Sequence, residues 1–345
     1  MKILILGGTA WLGRTIATTA IAAGHDVTCL ARGTDVAPGT VVVRADRDRD
    51  DALASVSGEL WDAVVDVSRQ PGQVRRAVRD LEPVANRYIF VSSGNAYASQ
   101  EEVGQDEDAP TLDPLDADVM ASMDDYGAAK VACENAVVAG FGSDRTVIAR
   151  AGLIGGPGDA SGRSGYWPWR FAHPASDDGA VLAPDAAELP TAIIDVRDLA
   201  AWLVQRAEGG PTGVFNAAGT PVLFPEHLSV ARAVAGHTGS IVHAPEDWLT
   251  DRGVGEWSGA RSLPLWLADR SWYGMNARSN ARAMAAGLVL RPLADTLADT
   301  LDWERAKVES GPHGAGLTDS EERELLANLD RRFDAEGGGH GPGDL

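Results

Sequence analysis

The chain begins KILILGGTAWLGR after its first methionine, residues 2–14. An apolar run of strand length enters two glycines and leaves as the start of a helix, an order that few folds accommodate. In a nucleotide-binding turn of this kind one glycine makes the tight bend, one lets the backbone approach a pyrophosphate, and one lets the helix pack on the strand. Gly7 and Gly8 are expected to make the bend and Gly13 the packing contact, while Ala10 stands at the approach position and adds one methyl group. Gly7, Thr9, Ala10, Trp11, Leu12 and Gly13 are therefore candidates for holding a dinucleotide phosphate against the helix N-terminus.

Short apolar runs then alternate with helix-like segments. A helix from Leu12 to about Ala23 stops at Gly24. DVTCLA (26–31), VVVRA (41–45), a short helix near 50–56, DAVVDV (62–67), a helix around 72–81 and RYIFVSS (87–93) follow. After a long acidic loop (100–125) come the helix YGAAKVACENAVV and the strand RTVIARAGLI (145–154). Alternation of this kind implies right-handed βαβ units, hence an α/β fold with a doubly wound parallel sheet of the Rossmann type. The character changes after Gly155 to a loop-like, aromatic stretch carrying Tyr166, Trp167 and Trp169. TAIIDVRDLAAWLVQRA (191–207) reads as a strand and helix returning to the sheet, and GVFNAAG (213–219) as one more strand. The expected organisation is a dinucleotide-binding domain over 1–155 and 190–220, interleaved with a smaller α+β substrate domain over 156–189 and 221–310. Residues 311–345 form a helical and flexible tail, whose end GGGHGPGDL is expected to be disordered.

A net charge of −20 makes phosphate backbones and anionic lipid poor partners. A small molecule is the expected partner, with no nucleic acid and no membrane. Gly7, Gly8 and Arg14 interrupt the N-terminal apolar run, which falls short of the ~18 residues of a membrane span. Cys29 and Cys133 lack metal-ligand spacing, so no metal and a reducing cytoplasm are expected.

Three further features bear on chemistry. The second strand ends Leu30-Ala31-Arg32-Gly33, where an enzyme using NAD usually carries a carboxylate for the ribose 2′-hydroxyl. A guanidinium there suits a 2′-phosphate, so Arg32 favours NADP, with NAD as the alternative. Asp46, with Arg47 beside it at the close of the third strand, is a candidate for the adenine side of the cofactor. Tyr126 and Lys130 stand four apart on one helix face. A cation beside a phenol favours its ionised form, so such a tyrosine can exchange a proton with a carbonyl or alcohol oxygen. Ser93, at the end of a strand that faces the ligand crevice of an open parallel sheet, is the better of two adjacent serines for bonding the same oxygen.

GGTAWLG, Asp46, VSSGNAY, YGAAK and RAGLIGGPG, in this order, resemble the short-chain dehydrogenase/reductase superfamily. The likeness is to its extended and atypical branch, the NAD-dependent epimerase/dehydratase proteins, and within it to a reductase-like bacterial subgroup. It spans roughly residues 1–305. It implies a catalytic triad of Ser93, Tyr126 and Lys130, with Lys130 also on the nicotinamide ribose and with Val67 and Ser68 approaching that ribose from the other side. It also implies frequent homodimers. Two departures matter: sugar-nucleotide members usually carry Asp at the position of Ala31 and Asn at that of Leu153. Their absence favours an NADP-dependent carbonyl reductase or alcohol dehydrogenase, with Tyr166, Trp167 and Trp169 helping to line an apolar substrate pocket. The alternatives are an NAD-dependent sugar-nucleotide epimerase or dehydratase and, from another class, a nucleotide-sensing or RNA-binding relative.

Overall fold

The computed structural model describes residues 1–307, 311 and 314–337. Residues 1–154, 192–221 and 271–291 form one compact unit. Its core is a seven-stranded sheet made of β1 (Lys2–Leu6), β2 (Asp26–Ala31), β3 (Val41–Arg44), β4 (Ala63–Asp66), β5 (Tyr88–Ser93), β6 (Thr146–Ala151) and β7 (Gly213–Ala217). All neighbouring pairs run parallel, in the order β3-β2-β1-β4-β5-β6-β7. The order reverses between β1 and β4, which is where an open parallel sheet leaves its crevice.

The central strands are buried on both faces, as a doubly wound sheet requires, while the edge strand β3 is largely exposed. Ile3 and Ile5 of β1 pack with Ile16 and Ala20 of α1 (Trp11–Ala22) and with Leu199 and Leu203 of the helix Val196–Glu208. Leu4 and Leu6 point the other way, toward Val74 and Ala77 of α2 (Pro71–Leu81) and Cys133 and Val137 of α3 (Tyr126–Phe141). Each such side chain contributes roughly 1.5–3 kcal/mol by leaving water. The period-two alternation of KILIL thus feeds two separate cores. The fourth helix of this unit, Val196–Glu208, is referred to below as α4.

Three details differ from expectation. The run near 50–56 is a succession of turns rather than a helix. Its main chain closes three-residue turns, Ala52 N on Arg49 O at 3.3 Å, Ala54 N on Asp51 O at 3.1 Å and Val56 N on Leu53 O at 2.9 Å, instead of a four-residue ladder. Ile193–Asp195 is a strand, but it lies outside the seven-stranded sheet. Asp195 ends it by capping α4, its carboxylate accepting from Arg197 N at 2.8 Å, and Ile194 packs with the helix in the core of the sheet. Finally, residues 271–291 belong to the first unit instead of the second. Ala283, Ala286 and Leu288 sit in the same core as Trp202, whose indole donates to Ala286 O at 3.2 Å.

Residues 155–191, 222–270 and 292–345 make up the other unit. It contains a parallel pair, Val181–Pro184 with Ile241–Ala244, and the helices Tyr166–Ala172, Phe224–Ala235, Leu293–Ala306 and Asp319–Gly337. The last helix is part of this unit rather than a free tail, with Leu325 and Leu329 buried. Of the run GGGHGPGDL, residues 338–345 lie outside the described residues.

Candidate functional site

The glycine turn is built by exclusion. Gly7 has φ +101°, and a β-carbon there would lie 2.6 Å from Val67 Cγ2. At Gly13 a β-carbon would come within 2.3 Å of Gly7 O. Gly8 follows Gly7 inside the turn that Ala10 N closes on Gly7 O at 3.1 Å, as expected, but without a left-handed φ. Its glycine is required because a β-carbon would lie 2.4 Å from Cys29 Sγ. Ala10, by contrast, is exposed and extended at φ −74° and ψ 152°, a conformation open to any residue. It is the N-cap of α1 and supplies no side-chain acceptor, and no acidic residue occupies the first turn. The positive end of the helix, including the N–H groups of Leu12 and Gly13, is therefore left for an external anion. These features fit a dinucleotide pyrophosphate. Thr9 and Trp11 are half-buried, Trp11 packing against the sheet core.

Arg32 is exposed one residue beyond β2. The loop it starts lies beside the turn, since a β-carbon on Gly33 would touch Thr9 Cγ2 at 3.4 Å. Asp46 is exposed and its Oδ1 accepts from Asp48 N at 3.2 Å. Arg47 behaves differently from its expected place on the adenine side. Its guanidinium is buried and committed to Asp66, with Nη1 2.8 Å from Oδ1 and Nη2 3.0 Å from Oδ2.

Ser93 ends β5 and caps the short 3₁₀ turn Gly94–Ala96. Its hydroxyl donates to Asn95 Oδ1 at 2.9 Å and accepts from Asn95 N at 3.2 Å. Ser92, its neighbour, donates into the buried Glu134–Arg150 ion pair and is structural. Tyr126 opens α3, half-buried, and Lys130 one turn later is enclosed at 2% exposure. Lys130 Nζ donates to Ser68 O at 2.6 Å and to Val91 O at 2.7 Å, which uses two of its three donors. The ammonium stands 4.7 Å from the centre of the Phe90 ring and 5.8 Å from that of Tyr126. Ser93, Lys130, Val67 and Ser68 thus gather at the carboxyl ends of β4 and β5, next to Gly7.

Behind Lys130 lies a group that the sequence did not single out. Asp66, fully buried at the end of β4, accepts from Arg47, from the Ser68 N–H at 2.9 Å, from the Ser68 hydroxyl and from the Tyr88 hydroxyl at 2.6 Å. Burial alone would raise its pKa. The adjacent guanidinium and the three other donors outweigh burial and hold the carboxyl below its ordinary value. The available signal was a lone carboxylate closing the otherwise apolar strand AVVD.

Of the aromatics expected to line a substrate pocket, Tyr166 and Trp167 are core residues of the other unit. Trp167 packs edge-on to Tyr166 and Phe224, at 5.0 and 5.5 Å between ring centres, and donates to Pro264 O at 2.8 Å. Trp169 is half-buried and stacked on His173 at 3.8 Å. A cavity of about 350 Å³ in this unit is lined by Tyr166 and Trp169, but also by Arg170, Arg261, Asp319 and Glu321, so its walls are not apolar.

Residues 3–218 match the model of the NAD dependent epimerase/dehydratase family. The 2'-dehydrokanamycin reductase of Streptomyces kanamyceticus is 28% identical over 197 residues, 54% of this chain and 53% of that one. The chloroplast stem-loop binding protein of 41 kDa b of Arabidopsis thaliana is 28% identical over 117 residues, 29% of this chain and 31% of that protein. The chain thus spans about half or less of these curated relatives. Among solved structures, the UDP-glucose 4-epimerase of Thermus thermophilus in complex with NAD superposes with a TM-score of 0.62 at 17% identity, over 89% of this chain and 100% of that one. The UDP-N-acetylglucosamine 4-epimerase of Bacillus cereus gives 0.63 at 14% identity, over 89% and 97%. At these identities the likeness is one of fold.

Proposed function

The chain belongs to the NAD-dependent epimerase/dehydratase family, and from that premise we propose that it is an NADP-dependent oxidoreductase acting on a carbonyl or secondary alcohol of a small molecule. The observation that supports the reading is Lys130, held on the carbonyls of Ser68 and Val91 beside the Tyr126 ring, at the strand ends near Ser93 and next to the uncapped start of α1. Gly7, Gly13 and the first turn of α1 would hold the pyrophosphate, and Arg32 the 2′-phosphate. Val67, Ser68 and Lys130 would face the nicotinamide ribose. The bound nicotinamide supplies or accepts the hydride.

The protein's own part is proton movement and placement. Tyr126 gives a proton to the substrate oxygen during reduction and removes it during oxidation. Ser93 fixes that oxygen once its hydroxyl turns from Asn95. Lys130, anchored on two main-chain carbonyls, keeps a positive charge beside the phenol and has one donor left for a hydroxyl group. Positioning of this kind is a large part of what a site contributes to rate.

The relative named as a reductase supports the redox reading, and Ala31 and Leu153 weigh against a sugar-nucleotide epimerase. The stem-loop binding relative raises an RNA-binding alternative. The charge of −20 and the intact Tyr126–Lys130 pair speak against it. Thermal-shift titration with NADPH and NADH tests the cofactor, because a selective ligand stabilises by about 2.7 kcal/mol at a hundred times its Kd. NADPH is expected to give the larger shift, and a clear NADH preference would reject the role of Arg32. In a screen of aldehydes and ketones followed by NADPH absorbance, Tyr126→Phe should lose turnover and keep the NADPH shift. Turnover equal to the unaltered protein would remove Tyr126 from the chemistry.

A further inference from the structure

A buried ion pair stands behind the lysine, and the proton transfer described above does not use it. Arg47 is 6% exposed and Asp66 not at all. Such a pair is often no more stabilising than apolar residues of the same volume, so its presence calls for another reason. Both partners are tied at several points. Arg47 Nη2 also donates to Gln73 O at 2.8 Å, and Arg47 O accepts from Arg76 Nε and Nη2 at 3.0 and 2.8 Å. This fastens the pair to α2. At its other end Asp66 takes both the N–H and the hydroxyl of Ser68, fixing that residue in a tight Asx-type turn. The same Ser68 presents the carbonyl that accepts from Lys130 Nζ at 2.6 Å.

We infer that Arg47 and Asp66 are positioning residues for Lys130: the ion pair immobilises the Ser68 main chain, and the Ser68 carbonyl sets where the ammonium stands beside Tyr126. The importance of this device rests on the proposed roles of Tyr126 and Lys130, but the geometry can be tested without them.

Lysine occurs only at positions 2, 130 and 307, so lysine labelled with ¹³C at Cε gives three resolvable NMR signals in the full-length chain. Lys130 Nζ lies 4.7 Å from the Phe90 ring centre, and the ring current makes its neighbouring methylene signal a position gauge. Two variants are measured. Arg47→Met with Asp66→Leu removes both charges together, the replacement that buried pairs tolerate best. Tyr88→Phe removes a single donor to Asp66 and keeps the pair. The expected result is a displaced or split Lys130 signal, larger in the double variant than in Tyr88→Phe, with Lys2 and Lys307 unmoved. A Lys130 signal in the folded double variant superimposable on that of the unaltered protein overturns the inference. Because the readout needs no turnover, its failure is distinct from failure of the proposed reaction, which Tyr126→Phe addresses separately.

Discussion

Gly127 lies so close to Asn95 that a β-carbon on it would sit 2.3 Å from the Asn95 carbonyl oxygen. Asn95 in turn holds the Ser93 hydroxyl. The contact therefore sets the distance between the strand end bearing Ser93 and the helix start bearing Tyr126. A side chain at 127 must push α3 away from the loop. Gly127→Ala is expected to cost roughly 1–3 kcal/mol, the usual range for forcing a methyl into a packed contact. Urea denaturation measures it, and a variant as stable as the parent would show that the two elements part freely.

In the phosphate turn, the position that departs from the usual glycine pattern should be the tolerant one. Ala10→Gly removes an exposed methyl and leaves the backbone unstrained, so NADPH affinity should change by less than about threefold, below 1 kcal/mol. Gly13→Ala meets the Gly7 carbonyl at 2.3 Å, which cannot rotate away. Its NADPH binding, followed by calorimetry, should fall below detection. Equal affinity in the two variants would mean that the turn is not where the nucleotide phosphates rest.

Arg32→Asp places a carboxylate where the proposed NADP would carry its 2′-phosphate. It should reverse the preference from NADPH to NADH, by about 10-fold or more as a charge repulsion replaces a charge-assisted bond. Parallel titrations with both nucleotides read this directly, and an unchanged ratio would place the 2′-phosphate elsewhere.

Acid should weaken the chain through His227, which is 1% exposed and held near Thr191 with Nδ1 3.4 Å from Oγ1. Burial lowers its pKa from 6.5 to about 4. Between those values the unfolded chain binds a proton that the folded chain refuses, so stability is complete above about pH 6.5 and declines as pH falls toward 4. The full loss is on the order of 3 kcal/mol. Urea midpoints for the parent and His227→Gln at pH 7 and pH 5 should converge on acidification, and a parallel decline in both would exonerate the histidine.

How much of this was legible in the amino-acid order depends on the range of each contact. Tyr126 and Lys130 are one helical turn apart, so spacing alone pairs them. KILIL, DVTCLA and YIFVSS announce buried strands because both faces of the sheet are covered. Asp66 and Arg47 are 19 residues apart and meet only once β4 and the turn after β3 are aligned, so Arg47 reads from sequence as a cofactor candidate beside Asp46 rather than as half of a buried ion pair. Gly8 reads as part of the bend, which it is, but its close packing on Cys29 is not legible because Cys29 belongs to the neighbouring strand. At 50–56 local propensity favours a helix, and the main chain closes three-residue turns instead.

The chain passes between its two units five times, because each unit is assembled from three separate segments. Neither can therefore be obtained as a contiguous fragment. A deletion that ends after β7 removes residues 271–291, and with them Ala283, Ala286 and Leu288 from the core of the first unit. Domain grafting and exon-like recombination are closed to such a chain.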